Sequence, residues 1–255
     1  MKRRLEGSSA AMTEIGIFGS TGRMGGAIKA AIAEYSGAKL AGGVGKSGDP
    51  HALSRSADVL IDFSTPEALA SHLDAAMAAK VPIVVGTTGF KAEHEQAIEA
   101  AATRIAVLQA ANMSLGVNLL FYLVRQTAER LGSDWDIEIV EMHHRHKVDA
   151  PSGTALMIGE AAAAGRGVEL GPVSDRGRDG ITGPREAGHI GFAALRGGSV
   201  AGDHLAIFAG EAERIELGHR AESRDIFARG AVRAALWLKD RPKGRYAMKD
   251  VLGLE

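Results

Sequence analysis

The stretch EIVEMHHRHKVDAPSGTA, from Glu138 to Ala155, gathers His143, His144, Arg145, His146 and Lys147 just ahead of Ser152, Gly153 and Thr154. A histidine can hand a proton to carbon near neutral pH, and an ammonium can neutralise an anionic substrate. His143 and Lys147 are four residues apart. They share a face on a strand and lie one turn apart on a helix, so either geometry lets them converge while His144 and His146 point elsewhere. Pro151 ends the extended segment, Ser152 or Thr154 caps a following helix, and Gly153 frees the backbone. Free N–H groups at a helix start form a natural carboxylate site. A metal site built from His143, His144 and His146 is disfavoured, because Arg145 and Lys147 repel a cation and no carboxylate has clear ligand spacing. The plain alternative is a charged, solvated loop, which composition alone leaves open.

The elements that must position this cluster start with EIGIFGSTGRMGGAIKAAIAEY. Glu14 to Phe18 reads as a strand and Ala27 to Tyr35 as a helix, with Gly19, Gly22 and Gly25 between them. Strand, glycine-rich turn and helix open a dinucleotide-binding βαβ unit. Gly19 allows the tight turn, Gly22 a close backbone approach to pyrophosphate, and Gly25 close packing of helix on strand. Strands follow at 38–44, 57–64, 81–90 and in RIAVLQAAN. They alternate with helices at 66–80 and in KAEHEQAIEAAAT, which indicates a buried parallel sheet. Ligands of such sheets bind beyond the carboxyl ends of the strands, where GSTGRM, FST, GTTG and AANMS fall together.

The second half differs. Ser114 caps a long helix to Leu131. WDIEIVEMHH reads as a half-exposed antiparallel strand. Three further β-like runs fill 188–221, and helix returns over 222–240 with Ser223 as a possible cap. The expected fold class is α/β: a Rossmann-type parallel-sheet domain, 12–113 and 224–255, with an inserted α+β domain at 114–223.

Bulk composition removes some functions. Thirty Lys and Arg against 31 Asp and Glu leave a net charge of −1, which argues against a general nucleic-acid or membrane-surface binder. There is no cysteine, so no disulfide frame and no cysteine-ligated zinc, in keeping with a reducing cytoplasm. No apolar run reaches bilayer length. Residues 1–11, MKRRLEGSSAA, lack the apolar core of a signal peptide and read as a disordered extension or cloning remnant.

EIVEMHHRHKVDAPSGTA resembles the signature of the 4-hydroxy-tetrahydrodipicolinate (dihydrodipicolinate) reductases of diaminopimelate and lysine biosynthesis. GSTGRMG is similar to that family's nucleotide loop, VGTTGF to its nicotinamide-side turn, AANMSLGVN to its interdomain hinge and FARGAVRAALWL to its closing helix. The resemblance runs in order from Met12 over nearly the whole chain. It implies His143 as the proton donor and acceptor, with Lys147 assisting as a proton donor and holding the anion. It implies substrate contact at His144 and a substrate carboxylate at Gly153 and Thr154. It puts the cofactor against Gly19, Ser20, Thr21, Gly22, Arg23 and Met24, against Gly86, Thr87 and Thr88, and against Ala110, Ala111, Asn112 and Met113. A small dicarboxylate substrate, hinge closure and a homotetramer built by the second domain follow from the same resemblance.

Two departures concern the cofactor. GVGKSGDPHALSRS is short for the segment that follows the second strand. Its first residues, GVGK, also lack the acid that grips an adenosine ribose, with Gly45 in that place and Lys46 after it. Lys46, helped by Arg23, favours NADPH over NADH, with some NADH use remaining. A nucleotide-sensing regulatory protein would keep the glycine loop but have no need of His143 and Lys147.

Overall fold

A computed structural model describes residues 12–254, so the expected extension at 1–11 lies outside the described residues. The chain begins with β1 (Thr13–Phe18), α1 (Arg23–Glu34), β2 (Ala38–Val44), α2 (Pro50–Arg55), β3 (Val59–Asp62), α3 (Leu69–Ala79), β4 (Ile83–Val85), α4 (Ala92–Ala102) and β5 (Ala106–Gln109). It continues through α5 (Leu115–Leu131), β6 (Asp136–His143), α6 (Gly153–Gly165), β7 (Ser174–Asp175), β8 (Ile190–Arg196), β9 (Gly202–Gly210) and β10 (Glu213–Ala221). It closes with α7 (Asp225–Leu238), β11 (Gly244–Tyr246) and α8 (Met248–Leu252).

Two compact units result. One holds 12–113 and Phe227–Val251, the other Ser114–Ile226 with the short tail 252–254. The first contains a six-stranded sheet in the order β11-β5-β4-β3-β1-β2, parallel at every pair. Its inner strands are buried runs such as Val59, Leu60 and Ile61, which suits a sheet covered on both faces. Here α7 returns to the first unit: a Cβ on Gly230 would lie 1.8 Å from the Met113 carbonyl oxygen, so only glycine allows that approach.

Several boundaries differ from the sequence reading. α1 starts at Arg23 rather than Ala27, because extended Gly22 serves as its N-cap and leaves Gly25 inside the helix. The segment 66–80 divides into a 3-10 turn, Pro66–Ala68, and α3. The short stretch after β2 holds a helix the sequence reading lacked: Asp49 caps α2 by accepting the His51 N–H at 2.8 Å, with Pro50 in the first turn. Strands β3, β4 and β5 are shorter than their apolar runs.

In the second unit the sheet order is β10-β9-β6-β8-β7. β6 was expected to be antiparallel. It lies inside the sheet, antiparallel to β9 and parallel to β8. Its strict alternation buries Ile137, Ile139, Glu141 and His143 on one face, where α5 and α6 cover it. Ser114 caps α5 through its Oγ, 3.3 Å from the Val117 nitrogen. Among the described residues the opposite sheet face stays open, with Val140, Met142 and Leu205 half-buried and Leu195 50% exposed.

Candidate active site

β6 ends at His143, and from there the chain turns. The Lys147 N–H donates to the His144 carbonyl at 3.1 Å. Lys147 therefore reaches the cluster through a turn, not through the shared strand or helix face its spacing suggested. His143 is 8% exposed, and its Nδ1 lies 2.5 Å from Glu141 Oε2. Glu141, 1% exposed, is gripped by both ends of the Arg196 fork at 2.9 and 2.8 Å. The Ser152 N–H adds a contact at 3.2 Å. Burial pushes the Glu141 carboxyl up, but the hydrogen bonds of Arg196 and His143 outweigh it and hold the group below the ordinary carboxylate value.

Ser152 also caps α6, its Oγ taking the Ala155 N–H at 3.2 Å. Gly153 and Thr154 thus occupy the first turn, with Gly153 exposed to solvent and Thr154 half-buried. The Ser152 hydroxyl meets His204 Nε2 at 3.1 Å, and the His204 ring stands edge-on to His143 with centroids 5.1 Å apart. Burial first, and then the charge of His143, lowers His204 from 6.5 to about 4, so it is neutral at pH 7.

His144 Nε2 pairs with Arg224 at 3.0 Å, and desolvation followed by the charge of Arg224 lowers its pKa. His143 and Lys147 also act on His144 electrostatically, which puts these groups in one neighbourhood. Lys147 Nζ pairs with the more exposed Asp149 at 2.7 Å. His146 and Arg145 are exposed.

The structure thus gathers His143, His144, Lys147, Gly153 and Thr154. Glu141, Arg196, Ser152, His204 and Arg224 join them and escaped the sequence reading as a network, since they come from separate elements. Two of them had a usable signal: Glu141 sits two residues from His143 and four from Ile137 on one strand face, and Ser152 is a candidate cap in the same stretch. Among the described residues, no group of three or more His, Asp or Glu side chains is placed to hold a metal ion.

In the first unit the glycine turn is held by β2: the N–H groups of Gly19 and Ser20 donate to the Val44 carbonyl at 2.9 and 3.1 Å. Gly19 has φ +76°, and a Cβ there would meet the Phe63 carbonyl oxygen at 2.4 Å. A Cβ on Gly25 would come within 2.5 Å of the Gly19 oxygen, so α1 packs directly on the turn. Beyond the strand ends lies a cavity of about 410 Å³ lined by Gly19, Thr21, Gly22, Lys46, Thr65 and His72, among others. Of the other expected cofactor contacts, Ser20, Gly86, Thr87, Asn112 and Met113 are buried, Arg23, Thr88 and Ala111 exposed, and Met24 and Ala110 half-buried. None of these lines that cavity.

A cluster absent from the sequence reading closes the cavity's inner side. Buried Asp62 accepts from Ser64 Oγ at 2.5 Å and meets His72 Nδ1 at 2.8 Å, with His72 stacked on Phe18. At the place of the missing acid, a Cβ on Gly45 would lie 2.9 Å from Thr21 Oγ1. Asp49, the next carboxylate, is committed to capping α2.

A protein-family model described as "Dihydrodipicolinate reductase, N-terminus" matches residues 13–113, and one described as "Dihydrodipicolinate reductase, C-terminus" matches 116–252. A 4-hydroxy-tetrahydrodipicolinate reductase from Zymomonas mobilis is 59% identical, over 94% of this chain and 97% of that protein. The chain belongs to the dihydrodipicolinate reductase family. A second member named 4-hydroxy-tetrahydrodipicolinate reductase, from Parvibaculum lavamentivorans, is 53% identical over 95% of this chain and 98% of its own. Among solved structures, a dipicolinate-bound dihydrodipicolinate reductase from Paenisporosarcina sp. TG-14 shares the fold with a TM-score of 0.75. It is 23% identical and covers 92% of this chain and 97% of its own. The family's parallel-sheet domain and mixed-sheet domain are both present here. No helix among the described residues is long and apolar enough to cross a membrane.

Proposed function

We propose that the protein reduces 4-hydroxy-tetrahydrodipicolinate to tetrahydrodipicolinate with a reduced nicotinamide dinucleotide, in diaminopimelate and lysine biosynthesis. The observation that carries this reading is a buried, carboxylate-paired His143 in one neighbourhood with the cations Lys147 and Arg224, beside the start of α6. A dianionic ring fits that surrounding. The N–H groups of Gly153 and Thr154, at the positive end of α6, take one carboxylate. His144 and Arg224 take the other. Lys147 exchanges its partly exposed partner Asp149, a weak tie, for the substrate anion.

The 4-hydroxyl and a hydrogen of the neighbouring ring carbon leave as water, giving an unsaturated cyclic imine, and a reduced nicotinamide dinucleotide held in the glycine-turn cavity would supply hydride to C4 of that ring. His143 gives a proton to the neighbouring ring carbon, and Lys147 assists as a donor. Gly19, Thr21 and Gly22 line that cavity at the start of α1, whose positive end favours a pyrophosphate. We assign the nicotinamide side to Gly86, Thr87 and Thr88 and to Ala110–Met113. NADPH is the preferred form, because Lys46 lines the cavity while Gly45 packs on Thr21 and Asp49 is occupied elsewhere. The first unit is thus the dinucleotide-binding domain and the second the substrate-binding and oligomerisation domain. The open apolar sheet face supports a homotetramer. We place the reaction in the cytoplasm, with its pool of reduced nicotinamide.

Purified protein mixed with the preceding synthase, aspartate semialdehyde, pyruvate and NADPH tests this. Absorbance of reduced nicotinamide should fall only when every component is present. Unchanged absorbance would remove the proposal.

A further inference from the structure

We propose that Glu141, locked by Arg196, is a positioning residue that holds the His143 ring and keeps its proton on Nδ1, so that Nε2 is the working nitrogen. This rests on the reading of His143 as the proton donor.

An ionised carboxylate only accepts hydrogen bonds, so the 2.5 Å contact requires a hydrogen on Nδ1. The carboxylate cannot swing away. Both of its oxygens are engaged by the planar Arg196 fork, and Oε1 also takes the Ser152 N–H. Arg196 is anchored in turn by the Leu195 carbonyl at 2.5 Å and the Asp149 carbonyl at 2.6 Å. Three pieces of backbone, from β6, β8 and the start of α6, therefore fix one ring orientation. The far edge of the ring is kept clear. At Gly202, with φ +156°, a Cβ would lie 2.9 Å from His143 Nε2. The backbone there favours glycine, and glycine leaves that nitrogen uncrowded. If Glu141 served only as a counter-ion for Arg196, neither the short His143 contact nor the open Nε2 edge would be needed.

The two roles separate in one experiment. The tautomer of His143 is read by nitrogen-15 NMR of histidine-labelled protein, alongside kcat, KM, circular dichroism and NADPH affinity. In Glu141→Ala we expect the folded protein to bind NADPH normally. The Nδ1–H form of His143 should give way to Nε2–H. The kcat should fall about 10²-fold or more while KM stays within about threefold. Glu141→Gln, whose amide oxygen still accepts from Nδ1, should restore the tautomer and part of kcat. Arg196→Lys keeps the charge but loses the fork, so it should give mixed tautomers and an intermediate kcat. It also serves if Glu141→Ala fails to fold. Unchanged tautomer or unchanged kcat in the folded Glu141→Ala or Arg196→Lys protein overturns the proposal. So does a loss of kcat that merely follows lost NADPH affinity. Near-normal turnover in His143→Ala would instead overturn the parent reading of His143. A dead His143→Ala beside fully active Glu141 and Arg196 variants would remove the positioning role alone.

Discussion

At neutral pH the buried ring of His204 is uncharged, because burial and the neighbouring His143 lower it from 6.5 to about 4. The unfolded chain takes up a proton in that range which the folded protein refuses. The stability this group contributes is therefore full above about pH 6.5 and is lost as pH falls toward 4, by roughly 3 kcal/mol at most. Thermal midpoints followed across that interval should drop, and His204→Gln should show a shallower drop; equal slopes would mean the ring titrates normally. Lys46 makes a second residue-scale case. It is exposed, so its pairing with a 2′-phosphate should favour NADPH in kcat/KM by only about fivefold or less. Lys46→Glu should move the preference toward NADH. Equal use of the two cofactors by the native protein would show that the absent acid was misread.

At the scale of elements, the turn between β1 and α1 depends on contacts no side chain can share. Gly25→Ala places a Cβ 2.5 Å from the Gly19 oxygen and 2.6 Å from the Ser20 Cα, all backbone. The expected cost is about 1–3 kcal/mol, with weaker dinucleotide binding, read by thermal melts and by titration with NADPH. An alanine protein with native melting and affinity would contradict the packing described. Elements with a strong local signal were legible beforehand. β2 spans the expected 38–44, and α5 begins after the expected Ser114 cap. β7 and β11, with two and three residues, are too short to show any periodicity. The parallel pairing of β6 with β8 joins residues about fifty apart, which local alternation cannot reveal. The site divides the same way. His143, Lys147 and the start of α6 stand in one stretch of sequence and could be read there. Arg196, His204 and Arg224 join them only through the sheet and the start of α7.

At the scale of the whole molecule, the open face of the second unit's sheet carries Val140, Met142, Leu195 and Leu205 beside one another on adjacent strands. A near-neutral chain with such a face tends to cover it, and a symmetric assembly does so with its own copies. Light scattering at assay concentration should report a tetramer; a stable monomer would count against the assignment of the second unit as the oligomerisation domain.

The most direct test of the central claim is the steady-state rate of the synthase-coupled reaction with His143→Ala beside the native protein. The native protein should consume NADPH. His143→Ala, folded and still binding NADPH, should lose about 10²–10⁴-fold in kcat, with Lys147→Ala falling strongly as well. Near-native turnover in His143→Ala would contradict the assignment of the β6–α6 cluster as the proton-donating site.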